Sequence, residues 1–166
     1  MGRYDPNGED FRVYMLLASA AQKGHEEVVE MSLGREEVNH DKSDSGGRTL
    51  LSYLAEAGRE RVAKILLERE ESKPDEPDND GRTPLSFSAE EGHERVVTIL
   101  LARQEVHPDK PDKDGRTPLQ YAAQYWHEGV VGVLLEREEV NPDNPDNGRT
   151  PLSYAAGYGS VGVVPL

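Results

Sequence analysis

Apolar residues along this chain fall in short helical clusters that come in pairs. In "DGRTPLSFSAEEGHERVVTILLARQEV", residues 80–106, Leu85 and Ala89 lie four apart on one face, and Val96, Val97, Leu100 and Leu101 form a second apolar face. Thr83 followed by Pro84 opens the first segment: the hydroxyl accepts from a first-turn N–H, and the N–H that proline lacks would have had no partner there. Gly92 supplies a left-handed stop, and His93-Glu94 opens the second segment, with the carboxylate near the positive helix end. The pattern predicts a helical hairpin.

The same pattern returns at a fixed interval. "GRT" recurs at Gly47, Gly81, Gly115 and Gly148, in steps of 34, 34 and 33 residues. Counting back 34 residues from Gly47 reaches Val13, where "AAQKGHEEVV" persists although the GRTP opening is lost. A tail at 1–12 is therefore expected to precede an atypical, capping first unit at 13–46, units at 47–80, 81–114 and 115–147, and a truncated one at 148–166. Between hairpins, "KPDEPDND", "HPDKPDKD" and "NPDNPDN" are extended connectors, because proline denies helix and Asp or Asn turns the chain by bonding its own backbone. Two weak points stand out near the end. Trp126 replaces the helix-ending glycine, at about 1–2 kcal/mol if it is left-handed, and Pro165 falls inside the last second helix.

The motif "GRTPL…AA…GH…VV…LL" at this spacing resembles the ankyrin repeat, in its long-connector variety, over nearly the whole chain. The resemblance implies an all-α solenoid of about five stacked helix-turn-helix units that binds a protein partner on its concave face and connector tips. It also leaves open a ligand-sensing segment of a larger multidomain signalling receptor. One departure concerns the position after TPL, usually His in the family, which holds Ser86, Gln120 and Ser153 here.

Charge and composition narrow the chemistry. Nineteen Lys and Arg against 32 Asp and Glu leave a net charge of −13, which repels a phosphate backbone, so nucleic acid is not an expected partner. The absence of cysteine removes disulfides and thiolate chemistry. No apolar run approaches the ~18 residues of a membrane span, and the opening "MGRYDPNGED" is unlike a signal peptide, so a cytoplasmic (or nuclear) monomer is the expectation. His25-Glu26, His93-Glu94 and His127-Glu128 imitate half of HExxH, but Val29, Val97 and Val131 stand where the second ligand belongs. "EPDNDG" has Phe87 where a calcium loop needs its bidentate Glu. Neither an enzyme nor a cofactor or metal is expected.

Surface remains as the functional element. Residues i, i+3 and i+4 at the end of each first helix share a stripe, which runs from acidic (Glu56, Glu90, Glu91) to aromatic and polar (Tyr121, Gln124, Tyr125, Tyr158). Arg48, Arg82, Arg116 and Arg149 form a second series just ahead of each first helix, either facing a partner or paired locally with Asp80 and Asp114. These residues are the expected partner-binding surface.

Overall fold

The computed structural model describes residues 9–34, 42–69, 72–145, 148–151 and 153. Eight helices lie among them, in four hairpins: α1 (Glu9–Lys23) with α2 (Glu26–Leu33), α3 (Leu50–Glu56) with α4 (Glu60–Leu67), α5 (Pro84–Glu90) with α6 (Glu94–Leu101), and α7 (Pro118–Gln124) with α8 (Glu128–Leu135). Of the fifth expected unit only residues 148–151 and 153 are described, and the rest of its helices lies outside the described residues, as does Pro165. α1 starts at Glu9, four residues ahead of the expected unit boundary at Val13, because neither Gly nor Pro interrupts the run from Glu9 to Lys23.

The hairpins stack into two parallel rows. α1, α3, α5 and α7 pack one on the next, and α2, α4, α6 and α8 do the same. Neighbours in the odd row are in more extensive contact than those in the even row. One unbroken apolar core runs between the rows from Tyr14 to Val140. A core only one hairpin deep suits a chain that is 35% hydrophobic.

Local chemistry sets each first helix. The hydroxyls of Thr49, Thr83 and Thr117 accept from the backbone N–H of Ser52, Ser86 and Gln120, a cap of about 1 kcal/mol. At the position usually held by His, Ser86 and Gln120 return the bond to the cap residue's N–H. Gln120 goes further: its Nε2 donates to the carbonyls of Asn144 at 2.7 Å and Arg149 at 3.3 Å, tying its unit to the next connector. The connectors also bond to one another, Asn79 N–H to Gly46 and Lys113 N–H to Asp80, at 2.7 and 2.9 Å. Asp109, half-buried, accepts from the Asn141 N–H and the Asn144 amide at 3.3 and 3.4 Å. Its burial nevertheless pushes the carboxyl above the ordinary Asp value.

Candidate partner-binding surface

Arg48, Arg82 and Arg116 are each aimed by an aspartate three residues before the turn glycine. Asp44, Asp78 and Asp112 use Oδ1 to accept the N–H of Arg48, Arg82 and Arg116 at 2.9, 2.8 and 2.8 Å, and a second N–H two residues on from each aspartate. The side chains then reach across the odd row. The Arg48 guanidinium carbon lies 4.2 Å from the Tyr53 ring centre and 4.3 Å from that of Phe87. Arg82 lies 4.2 Å from Phe87 and 4.7 Å from Tyr121, and Arg116 6.0 Å from Tyr121. Cation and ring alternate through three units, each contact worth about 0.5–1 kcal/mol, and up to about 2 when desolvated.

Two of these charges are matched by glutamates. Arg48 pairs with Glu56 at 2.8 Å, and Arg82 with Glu90. Asp80 and Asp114 sit exposed on the turns, while Glu56 and Glu90, at the ends of α3 and α5, lie beside the stacked guanidinium groups. The aspartates that matter are the turn ones: Asp44 Oδ2 also accepts from the Tyr53 hydroxyl at 2.5 Å and Asp112 Oδ2 from Tyr121 at 2.6 Å. Burial, reinforced by the hydrogen bond to Asp44, pushes the Tyr53 hydroxyl up to about 12, and burial with Asp112 raises Tyr121 further still.

A second set of contacts crosses between units at the helix turns. His93 Nε2 meets the Glu56 carbonyl at 2.9 Å, and His127 Nε2 the Glu90 carbonyl at 2.7 Å. Arg59 holds the same place one unit earlier, with Nε donating to the Ala21 carbonyl at 3.3 Å. The HE pairs at His93 and His127 are therefore helix openings whose imidazoles clip one unit to the unit before. Among the described residues, no group of three His, Cys, Asp or Glu side chains could hold a metal ion.

The family model for ankyrin repeats (three copies) matches residues 17–112 and 100–166. The chain belongs to the ankyrin-repeat family. No match is found among curated proteins. Ankyrin repeats are in general modules of protein–protein interaction, typically non-catalytic. Among the described residues of this array, no helix is long and apolar enough to cross a membrane.

The ankyrin stack sorts the expected surface residues into two kinds. Arg48, Arg82, Arg116, Glu56, Glu90 and Tyr121 come together in the ladder, half-buried or, for Tyr121, buried. Glu91 and Tyr125 are exposed at the ends of α5 and α7, with Gln124 partly so. Arg149 is exposed on the turn after the last described connector, and Tyr158 lies outside the described residues. The aspartates of the turns were read as turn-formers, but their hold on the arginines escaped sequence reading, although "PDxDGR" at Asp78 and Asp112 carries them at a constant distance from the arginine.

The other residue missing from the expected surface is Trp126. It follows Tyr125 at the place of Gly24, Gly58 and Gly92, and adopts φ 61°, the one left-handed non-glycine among the described residues. Its signal was in the sequence, as a break in the glycine series. Tyr125 and Trp126 remain 45% and 50% exposed, with the Tyr125 ring 6.5 Å from His127.

Proposed function

We propose that this array is a non-catalytic binding module whose protein partner lies along the odd row, with Tyr125 and Trp126 as its anchor. The observation that carries the reading is the Trp126 backbone. A left-handed tryptophan costs about 1–2 kcal/mol, glycine would adopt that conformation freely, and half of the side chain stays in solvent. A strained aromatic that keeps half of its surface in solvent points to function. Large aromatics beside one another also match the composition of interface hot spots.

Around this anchor, Glu56, Glu90, Glu91 and Gln124 rim the odd row, with Arg149 beyond them; Tyr158, also expected in the surface, lies outside the described residues. The ladder of Arg48, Arg82, Arg116 and Tyr121 serves the surface by holding the row rigid beneath it. The acidic rim favours a partner with a basic end, whose apolar end covers the two aromatics. Rim charges then steer encounter while the aromatics hold the complex.

The test compares variants once a partner is in hand. Tyr125→Ala and Trp126→Gly each weaken binding by about 1–3 kcal/mol, in the hot-spot range, with melting unchanged or slightly raised. Arg95→Ala on α6, in the even row, leaves affinity unchanged. Sensitivity at α6 with silence at Tyr125 and Trp126 would rule out this surface.

A further inference from the structure

The first unit differs from the others on the face that, in each later unit, receives the unit before. At the 34-residue register Val28 corresponds to Val62, Val96 and Val130. Those three are 0, 0 and 1% exposed, whereas Val28 is 55% exposed. Leu16 corresponds to Leu50, and is 70% exposed where Leu50 is sealed. Met31, 70% exposed, stands in register with the partly buried Ile65, Ile99 and Val133. A terminal repeat that faces water needs a polar outer face. This one is apolar at the positions that the other units use for stacking.

An independent feature points the same way. At the opening of α4, α6 and α8, Arg59, His93 and His127 each reach back to a carbonyl at the end of the preceding first helix. His25 opens α2 at the same register position. It is exposed, and among the described residues its imidazole meets no carbonyl.

We infer that the Leu16, Val28 and Met31 face, with His25 beside it, is a stacking site for one further ankyrin-type hairpin, seated in the array register ahead of α1 and α2. The interface continues the three already present: the same side-chain types at the same spacing, with a clip that requires a main-chain carbonyl at the end of a first helix. A lipid surface would ask for basic flanks, but α2 opens with Glu26 and Glu27. A two-fold pairing with a second copy would bring those acidic openings onto one interface and leave both imidazoles without their carbonyl.

The test supplies the hairpin. Residues 81–114 are joined in register ahead of Val13 in place of 1–12, and the extended protein is compared with the full chain. Melting rises by at least about 4 °C, and the His25 ring N–H, fast to exchange in the full chain, becomes protected in NMR spectra. Leu16→Glu abolishes both gains in the extended protein, yet shifts the full chain by less than about 1 °C, as for an exposed position. The inference is overturned if the extension leaves melting unchanged or if Leu16→Glu spares the gain. It is equally overturned if the full chain sediments as a dimer that Leu16→Glu dissociates, since a second copy then owns the face.

Discussion

Gly92→Ala is expected to damage this array out of proportion to one methyl group. Gly92 sits at φ +75°, and a Cβ built there would meet the His127 ring, with Cε1 at 2.6 Å. Two costs follow. A left-handed alanine loses about 1–2 kcal/mol. The imidazole must also move off the Glu90 carbonyl, which it meets at 2.7 Å, and a hydrogen bond of this kind is worth about 0.5–1.5 kcal/mol net. Alanine restricts the unfolded chain and returns about 0.4–1 kcal/mol. The net loss is about 0.5–3 kcal/mol, or roughly 1–12 °C in melting temperature for a chain of this size. Urea and thermal melts of Gly92→Ala, His127→Ala and the double variant measure both parts. Without the imidazole, only the backbone strain remains, so the two substitutions couple by about 1 kcal/mol. The converse change, Trp126→Gly, relieves strain where Ser160 replaces the next imidazole in register, and is neutral or stabilising. A harmless Gly92→Ala, or equal losses with and without His127, would refute the clip.

Arg82→Ala removes two ring contacts and strands the Glu90 carboxylate, so it destabilises by about 2–4 kcal/mol; Arg82→Lys restores the charge without the planar stack and recovers less than half of this in chemical denaturation. For Asp109, burial raises the folded carboxyl above its unfolded value. The protonated form is therefore favoured by folding: this contribution is fully present below the unfolded value of ~3.9 and is lost as pH rises through the folded one. Asp109→Asn mimics the protonated state, so it melts no lower than the parent at pH 7 and shows a flatter pH profile just above the ordinary carboxylate range; a marked loss at neutral pH would contradict this.

The helices were legible because their causes are local. Thr-Pro openings, glycine stops and apolar spacing act within a few residues, so Pro84–Glu90 and Glu94–Leu101 could be placed from one unit and copied to the others. The candidate surface was legible only in part. Tyr125 and Glu91 are exposed as the stripe implied, but Tyr121 at the head of the same stripe is buried, because the register that aligns the hairpins also lays Arg82 over its ring.

By itself, then, the sequence determined the repeat, its hairpin and its family, since each unit writes its own caps and turns within 34 residues. Only the tertiary structure decided how the side chains are spent. An arginine before each first helix reads alike as a partner contact or a paired surface charge, and stacking made it the filling between two aromatic rings from different units. His93 and His127 read as helix openings, and became clips only when the preceding unit brought a carbonyl within reach. Contacts across units depend on the rise and bend from one hairpin to the next. No window of sequence encodes that geometry, because it arises only when the apolar faces of neighbouring hairpins close on each other.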